Sequence, residues 1–481
     1  MATAVASRQY RERLFRKFEH AIETNRRLDR SLVSFQANRN LGCYRWLKYK
    51  EGFAARLVEH LVDEYGTTGS TILDPFAGIG TSLFVARELG LNSIGIELMP
   101  VGCMAMESRL AAERASATGF RRKIAQLDGF NWQSNVDERY ALQHIPITAG
   151  AFPSETESAI AGYRAYCDQR IRDADIRKLF QVAGIAVLEE VSYTRKDGQY
   201  LRWDVRSKKP RVKALFHKGE VKRFDSAIQV KLHQMADDLR SAETPERTLF
   251  ETQLHNGVPR GDIDLRKGSC LAILPDLPSD SVDLVVTSPP YCNRYDYTRT
   301  YALELIYLGL DQDDVKRLRQ TMLSCTVENH AKANELRRVY EARGKLADYE
   351  RIRRVFDRQL ALQEVLEFLE GEAESARLNN TNIPRMVRNY FLEMCHVVFE
   401  LARLLKPGGR VLMVNDNVRY AGEEVPVDLV LSAVAEQFGL ETEHIWTLPR
   451  GKGNSSQQMG AHGRTELRKC VYVWHKRSSI G

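Results

Sequence analysis

Ser288, Pro289, Pro290 and Tyr291 form the segment of this chain whose residue types could best do chemistry. They follow the apolar run 282–287, which predicts a short buried strand. Two consecutive prolines fix the backbone and remove two N–H donors, so their carbonyl oxygens are the main-chain groups left for hydrogen bonding. These carbonyl oxygens and the Ser288 hydroxyl predict a turn that accepts hydrogen bonds from an amine. Tyr291 adds a ring on which a flat group can stack.

A second segment, 74–81, lies between a predicted strand and a predicted helix. Its glycines, Gly78 and Gly80, allow a sharp turn and let a ligand approach the backbone. The next predicted strand ends in Glu97, where a carboxylate can accept hydrogen bonds from two ribose hydroxyls. A glycine turn alone is common in α/β folds, and a strand-end glutamate can simply be solvated, but the spacing of the two favours a site for a ribose-bearing cofactor.

These residues resemble a known family, the DNA amino-methyltransferases, which act on N6 of adenine or N4 of cytosine. Their first motif has the form Asp-Pro-Phe-x-Gly-x-Gly-Thr, which residues 74–81 reproduce. The resemblance implies S-adenosylmethionine as cofactor, with the methionine part on Asp74 and the backbone of 77–80, and the ribose on Glu97. Residues 49–53 look like the family's upstream cofactor motif. The predicted cofactor residues are Asp74, Pro75, Phe76, Ala77, Gly78, Gly80, Thr81, Glu97 and Ser269.

Ser269 marks a departure from the family pattern. An aspartate that faces the cofactor adenine commonly follows the glycine at this place, whereas this chain has Gly268-Ser269. A hydroxyl can still take part in a hydrogen bond, so Ser269 stays among the predicted cofactor residues.

The chemistry implied by the resemblance fits the Ser-Pro-Pro-Tyr turn. An exocyclic amine on a base is a poor nucleophile because its lone pair is delocalised into the ring. Acceptance of its protons by Ser288 Oγ and a proline carbonyl would free that lone pair for attack on a methyl donor. The base must be flipped out of the duplex, and stacking on Tyr291 compensates in part for lost base stacking. The predicted catalytic residues are Ser288, Pro289, Pro290 and Tyr291.

The first residue of this turn bears on the target base. Within the family, serine there is typical of cytosine N4 enzymes, and aspartate or asparagine of adenine N6 enzymes. Ser288 therefore favours a sequence-specific DNA methyltransferase acting on N4 of cytosine. Adenine N6 methylation is the closest alternative, followed by methylation of an RNA base amine and by a DNA-binding subunit without turnover.

The positive charge of the chain is concentrated in one segment. Residues 195–223 contain eleven Lys or Arg against three Asp or Glu, whereas the whole chain carries only +7. Aromatic residues are interleaved with these charges, as phosphate contacts with base stacking would require. A solvated, charged hairpin is the alternative interpretation. The predicted DNA-binding residues are Arg195, Lys196, Arg202, Trp203, Arg206, Lys208, Lys209 and Arg211.

The predicted β-α-β unit indicates an α/β fold, and the resemblance implies a Rossmann-like methyltransferase fold with a central, mostly parallel seven-stranded sheet. Two insertions interrupt the core: a target-recognition region with the basic segment, and a helical hairpin with apolar residues at 3-4 spacing. The predicted division is 1–70 (N-terminal helices with the upstream motif), 71–104 (cofactor half), 105–262 (recognition region), 263–310 (catalytic half), 311–380 (hairpin) and 381–481 (C-terminal core).

Composition and cysteine spacing limit the classes of protein to which the chain can belong. With 43% hydrophobic and 28% charged residues, the chain has the composition of an ordinary soluble globular protein. No run is long and apolar enough for a signal peptide or a membrane span. The eight cysteines are scattered without Cys-x-x-Cys spacing, which argues against a disulfide framework and a metal site. We expect a prokaryotic cytoplasmic protein that associates with the nucleoid through double-stranded DNA, with a restriction or defence partner or a second copy as possible partners.

Overall fold

The structure, a computed structural model, describes residues 8–29, 31–49, 51–67, 69–197, 200–207, 216–243, 259–449 and 467–478. Three predicted DNA-binding residues, Lys208, Lys209 and Arg211, lie outside the described residues. None of the helices in the described ranges is long and apolar enough to cross a membrane.

The strands are numbered here in chain order. They are Ile22–Thr24 (β1), Thr71–Asp74 (β2), Asn92–Glu97 (β3), Thr194–Asp197 (β4), Tyr200–Trp203 (β5), Ile263–Lys267 (β6), Val282–Thr287 (β7), Leu405–Asp416 (β8), Val418–Tyr420 (β9), Glu423–Val425 (β10), Leu440–Thr447 (β11) and Lys469–Lys476 (β12).

The α-helices are numbered in the same way. They are Gln9–Phe18 (α1), Ala55–Tyr65 (α2), Thr81–Glu88 (α3), Pro100–Arg114 (α4), Ala117–Ala125 (α5), Ser154–Arg170 (α6), Ala174–Val191 (α7), Phe224–Glu243 (α8), Cys270–Ile273 (α9), Tyr297–Thr300 (α10), Ala302–Tyr307 (α11), Gln312–Thr321 (α12), Ala333–Glu341 (α13), Leu346–Asp357 (α14), Leu360–Glu374 (α15), Ile383–Leu404 (α16) and Val427–Gln437 (α17).

The main sheet has the strand order β1-β11-β12-β8-β7-β2-β3-β6. Its pairs are parallel except for β12, which runs antiparallel to both β11 and β8. The predicted fold class is confirmed. Among the described residues the sheet has eight strands rather than seven, because β1 adds to its edge through parallel pairing of Ile22 with Ile445.

Alternate residues of the central strands point into two different cores. Ile72, Leu412 and Val471 belong to a hydrophobic cluster that also contains residues of α2 and α3. Their chain neighbours Leu73 and Met413 belong to a second cluster, with α16 and α17. This period of two is expected for strands that are covered on both faces.

The segment 311–380 differs from the predicted helical hairpin. The structure describes all of it, and it forms four helices, α12 to α15, rather than two. Ile352, Phe356, Leu362 and Leu366 are buried in the same cluster as α16 and the sheet. The apolar residues at 3-4 spacing therefore pack on the catalytic core instead of on each other.

The predicted recognition region, 105–262, lies in a hydrophobic cluster that it shares with other parts of the chain. Residues of α5 to α8 pack together around Trp132, Tyr163 and Phe180, and the basic hairpin β4–β5 follows α7. The same cluster includes Tyr301 and Tyr307, which come from the catalytic half of the chain. The region is thereby packed against the core rather than tethered to it.

A buried ion pair joins the segment 311–380 to α16. Lys332 Nζ lies 3.0 Å from both carboxylate oxygens of Glu393, and it also donates to Met322 O at 2.6 Å. Ser324 N donates to Glu393 at 2.8 Å. Burial raises the pKa of Glu393, and Lys332 is the strongest opposing influence.

Replacement of Lys332 by methionine removes the cation and keeps a long side chain. We expect the free energy of unfolding at neutral pH to fall by about 3–5 kcal/mol, because Glu393 is then a buried charge without its partner. The loss should shrink as the pH falls, since a protonated Glu393 needs no cation. Urea unfolding at pH 7.5 and pH 5.5 measures both effects.

Lys316→Met is the matched control. Lys316 pairs with Asp313 at 3.0 Å, but both side chains are exposed, and such pairs contribute less than about 1 kcal/mol. Equal stability of the two variants at neutral pH would contradict the role given to the buried pair.

Candidate active site

A cleft opens where four neighbouring parallel strands end. β2, β3, β6 and β7 reach the same edge of the sheet with Asp74, Glu97, Lys267 and Thr287. β3 and β6 lie on one side of β2, whereas β7, which follows them in the chain, lies on the other side. The strand order therefore reverses beside β2, and ligands of open α/β sheets bind where such a reversal occurs. The cleft has an empty volume of about 570 Å³, including its open mouth, and is lined by Tyr49, Glu51, Pro75, Phe76, Gly78, Ile96, Glu97, Leu98, Met99, Gly268, Ser269, Cys270, Ser288, Pro290, Tyr297, Met322 and Leu323.

The glycine turn between β2 and α3 forms one wall of this cleft. Ala77 N donates to Ile96 O at 3.0 Å, which fixes the turn against β3. Gly80 precedes α3 with a φ of 80°, in the left-handed region that favours glycine. A Cβ at Gly80 would also lie only 2.8 Å from Met106. The cleft lining includes Pro75, Phe76 and Gly78. The other predicted cofactor residues of this segment, Ala77, Gly80 and Thr81, are buried behind it.

Asp74 requires a correction. The resemblance assigned it to the methionine part of the cofactor, but its side chain is buried and lies outside the cleft lining. Its carboxylate accepts hydrogen bonds from Thr287 Oγ1 at 2.6 Å and Phe76 N at 3.1 Å, and from Ser82 Oγ. Burial raises the pKa of Asp74 to about 6, and these three donors oppose the rise. Asp74 therefore joins the cofactor turn to the end of β7.

Glu97 lies in the cleft at the end of β3. Its oxygens accept from Gly78 N and Met99 N, each at 2.6 Å. Burial raises the pKa of Glu97 to about 7, against the effect of these backbone donors. The close approach of the Gly78 backbone to Glu97 depends on Gly102 in α4, because a Cβ at this glycine would lie 2.4 Å from Gly78 O and 3.0 Å from the Glu97 side chain.

Ser269 also lines the cleft, next to Gly268. Gly268 N donates to Glu97 O at 2.9 Å, which ties this segment to β3. Ser269 Oγ donates to Thr321 O at 3.4 Å, so the hydroxyl that replaces the family's aspartate is partly engaged with the end of α12.

The Ser-Pro-Pro-Tyr turn forms the opposite wall. Ser288 and Pro290 line the cleft. Ser288 Oγ and Tyr291 OH lie 3.4 Å apart, and burial raises the pKa of Tyr291 far above its usual value. Tyr420 OH donates to Cys292 O at 2.6 Å and holds the backbone that follows the turn.

A lysine and an aspartate border Tyr291. Lys469 Nζ lies 6.0 Å from the centre of the Tyr291 ring and 3.8 Å from Asp416 Oδ2. Neither residue was among the predicted site residues. They come from β12 and β8, about 180 and 125 residues further along the chain, and reach Tyr291 through the antiparallel register that pairs Lys469 with Asp416.

Tyr49, Glu51, Tyr295 and Tyr301 form a cluster that the motifs did not predict in detail, and Tyr49 and Glu51 of this cluster line the cleft. Glu51 accepts hydrogen bonds from the hydroxyls of Tyr295 and Tyr301. The ring of Tyr49 stacks on Tyr301 with 5.2 Å between centroids, and Tyr49 is the nearest neighbour that a Cβ at Gly78 would meet, at 3.3 Å. The only signal in the sequence was the upstream motif at 49–53.

Two predicted DNA-binding residues point into the protein, which corrects their assignment. Lys196 is 5% exposed and forms an ion pair with Glu304, and Trp203 is 4% exposed in the core of the recognition region. Alternation along β4 and β5 explains this, because it turns every second side chain inward. Arg195 and Arg202 are exposed and lie opposite each other in the hairpin, and Arg206 is exposed beside Asp204.

The cleft residues fit S-adenosylmethionine. Ile96, Leu98 and Met99 offer an apolar surface suited to a purine ring, and Glu97 offers acceptors suited to the two ribose hydroxyls. The described residues contain no group of three His, Cys, Asp or Glu that could hold a metal ion.

Comparison with known proteins settles the family. Residues 21–107 match a family of N6 and N4 methyltransferases described as DNA methylase. The chain is 44% identical over 470 residues to the type II methyltransferase M.AvaI of Nostoc sp., covering 97% of this chain and 93% of the relative. It is 38% identical over 480 residues to the type II methyltransferase M.BsoBI of Geobacillus stearothermophilus, covering 97% and 92%.

The chain belongs to the N6/N4 DNA methylase family. The predicted family and the predicted cofactor are thereby confirmed: this methylase uses S-adenosylmethionine and methylates an amino group of DNA. The choice between cytosine and adenine, and the roles of individual residues, are taken up below.

The raised pKa of Glu97 predicts a pH dependence. Its ionised form accepts hydrogen bonds best, so affinity for S-adenosylhomocysteine should fall by about tenfold per pH unit below pH 7. Glu97→Gln should weaken binding and make it independent of pH. Calorimetry from pH 5.5 to pH 8.0 tests this. For the cofactor-free fold the sign is opposite, because the protonated form is favoured by folding and stability falls as the pH rises from 4.5 to about 7.

Glu113→Gln serves as the control, since Glu113 pairs with Arg87 on the outer part of α4. It should keep the wild-type pH profile. A wild-type affinity that does not change between pH 5.5 and pH 8.0 would exclude Glu97 as the titrating group.

Proposed function

We propose that this methylase transfers a methyl group from S-adenosylmethionine to N4 of a flipped-out cytosine in a specific DNA sequence. The observation that carries the proposal is that Ser288 and Pro290 line the same cleft as Gly78 and Glu97. An acceptor turn and a cofactor wall face each other, which is the arrangement that direct transfer between two bound molecules requires.

Each wall has a distinct task. Glu97 binds the ribose hydroxyls, Ile96 and Met99 pack against the adenine, and Ser269 offers it a hydroxyl. The turn that contains Gly78 keeps side chains away from the ligand. When bound, the cofactor supplies a methyl group on a positively charged sulfur atom.

The Ser288 turn prepares the target amine. Ser288 Oγ and a proline carbonyl accept its two N–H groups, which orients the nitrogen lone pair toward the methyl group. Glu97 and the turn at Gly78 would hold the cofactor, which would supply its methyl group to this nitrogen as the carbon–sulfur bond breaks, and the amine would lose one proton to water. Tyr291 stays protonated because burial raises its pKa, so it stacks on the base and is not the proton acceptor.

Two features favour cytosine over adenine. Ser288 is the residue typical of the cytosine N4 enzymes that the sequence resembles. In addition, Lys469 places an ammonium group near the Tyr291 ring. Cytosine presents its O2 acceptor beside the ring nitrogen, where adenine presents a C–H group, so a base stacked on Tyr291 with this edge toward Lys469 would gain a hydrogen bond only if it is cytosine.

The outer face of the β4–β5 hairpin is the proposed DNA-binding surface. Arg195 and Arg202 are exposed cross-strand neighbours of like charge. Arg202 is also paired with Asp197 at 3.0 Å, and exposed pairs of this kind are weak enough for a phosphate to compete with the carboxylate. Arg202 also lies 4.7 Å from the ring of Phe216, which orients its guanidinium. The cytoplasmic location and a nuclease partner or second copy stay predictions from the sequence.

Transfer of a labelled methyl group to DNA of varied sequence, followed by nucleoside mass spectrometry, tests the reaction. We expect the label in N4-methylcytosine. Ser288→Ala should lower kcat by about 100-fold, because one of two acceptors for the amine is lost, and should change the Kd for cofactor by less than about twofold.

Ser226→Ala, on the exposed surface of α8, should leave the rate unchanged. Detection of the label in N6-methyladenine would overturn the cytosine assignment but would leave the proposed role of the acceptor turn unchanged. A Ser288→Ala variant with wild-type turnover would remove Ser288 from the mechanism.

Arg195→Ala combined with Arg202→Ala should weaken DNA binding without changing cofactor affinity. If each arginine contacts one phosphate, the slope of log K against log salt concentration should become less steep by about 2. Fluorescence anisotropy with a duplex between 50 and 200 mM salt measures it.

Arg353→Ala is the control, since Arg353 lies on α14 and pairs with Asp357. An unchanged salt dependence in the double variant would place the DNA elsewhere on the surface.

A further inference from the structure

Arg294 is a cation without a carboxylate partner, three residues after Tyr291 of the Ser-Pro-Pro-Tyr turn. Its Nη1 donates to Asn379 Oδ1 at 2.9 Å, and no Asp or Glu of the described ranges pairs with it. An arginine has five N–H donors. Most of the donors of Arg294 therefore have no acceptor in the part of the protein that the structure describes.

The inner and outer nitrogens of this guanidinium group differ in exposure. Nε is buried and has no hydrogen-bond partner among the described residues. The hydrogen bond from Nη1 to Asn379 is exposed, and so is the Asn379 side chain. The side chain is thus embedded in the protein as far as Nε and presents its outer nitrogens at the surface.

The backbone of Arg294 is in an unfavourable conformation. Its φ is 67°, in the left-handed region that few residues other than glycine and asparagine adopt. Residues held in this way, like buried donors without a partner, reduce stability and occur often at functional sites. Glycine or asparagine would suit this backbone better, so a function of the arginine side chain would account for its presence.

Both Arg294 and Asn379 lie at the edge of the sheet where the cleft opens. Arg294 follows the end of β7, and Asn379 precedes α16. The first part of α16 is at this edge, because Asn415, near the end of β8, donates to Tyr390 OH at 3.0 Å. Burial raises the pKa of Tyr420, which holds the backbone after the turn, and the nearby charge of Arg294 opposes this rise. Arg294 is therefore on the side of the turn that faces α16 and β9.

We propose that Arg294, oriented by Asn379, binds a DNA backbone phosphate next to the flipped target nucleotide. A base that stacks on Tyr291 leaves its sugar and phosphates at the mouth of the cleft, beside this turn. The planar N–H groups of arginine can form two parallel hydrogen bonds with a phosphate. This contact would hold the extruded nucleotide and is separate from the β4–β5 surface. The inference rests on the stacking of the target base proposed above.

Neutralisation of single phosphates tests the contact. The target sequence is first mapped by sequencing DNA that the enzyme has methylated. The probes are duplexes with this sequence in which a neutral methylphosphonate replaces one phosphate at a time around the target base. Fluorescence anisotropy measures their binding to the full-length protein with S-adenosylhomocysteine.

We expect one replacement beside the target base to weaken binding of the wild type by about tenfold, since one charge-assisted contact is lost. Arg294→Gln should bind the unmodified duplex about tenfold more weakly. The same replacement should then weaken binding of this variant by no more than about twofold, because the two changes remove the same contact. Its affinity for S-adenosylhomocysteine without DNA should stay within about twofold of the wild type.

Arg351→Gln is the matched control. Arg351 is exposed and, like Arg294, donates to an uncharged oxygen, Gln437 O at 3.3 Å. Gln437 ends α17 just before β11 begins, and the antiparallel pairing with β12 places the start of β11 at the edge opposite the cleft. This variant should keep the wild-type affinity and the wild-type response to every replacement.

Arg294→Asn provides a second test variant, because asparagine adopts a positive φ more readily than most residues. It should show the same loss of DNA binding as Arg294→Gln while the fold is retained. Thermal unfolding and cofactor affinity check the fold of both variants.

Four results would overturn the inference. They are a wild type that responds to no replacement around the target base, an Arg294→Gln variant that binds the unmodified duplex normally, one that keeps the full response to the replacement, and one whose main loss is in cofactor affinity. The mapped base defines the probes. A target that proves to be adenine would therefore overturn the cytosine proposal and leave this test unchanged.

Discussion

The buried hydrogen bond from Thr287 Oγ1 to Asp74 Oδ1, 2.6 Å long, joins the ends of β2 and β7, and both walls of the cleft depend on it. The cofactor turn begins at the end of β2, and the Ser-Pro-Pro-Tyr turn begins at the end of β7. Because the two strands are parallel neighbours, their turns emerge at the same edge of the sheet. The register of the strands, rather than any loop, thus sets the position of the two walls relative to each other.

Buried carboxylates recur in this protein, and each is satisfied in a different way. Asp74 is held by hydroxyls and one backbone N–H, Glu97 by backbone N–H groups, and Glu393 by a lysine. Burial of a carboxylate without such partners would cost several kcal/mol. Glu97 lines the cleft, whereas Asp74 and Glu393 lie outside the cleft lining.

The recognition region is built into the catalytic core rather than appended to it. Lys196 extends from the basic hairpin to Glu304 of α11, and Tyr301 lies beneath it. A charge that the sequence presents as part of a DNA-binding patch is in fact a buried contact between the two parts. Arg195 and Arg202 lie on the exposed face of the same hairpin.

The sequence by itself determined the fold class, the cofactor turn and the Ser-Pro-Pro-Tyr turn, because these are local: glycines, prolines and short apolar runs specify turns and strands within a few residues. It also placed Glu97 at a strand end by spacing alone. Tertiary structure decided which side chains line the cleft and which are sealed behind it. Asp74 and Glu51 are both carboxylates in cofactor motifs, but only burial and hydrogen-bond partners from distant segments distinguish them. The same holds for three other features: the packing of α14 and α15 on α16, the inward direction of Lys196 and Trp203, and the approach of Lys469 to Tyr291. Each depends on contacts between residues far apart in the chain, which no local pattern encodes.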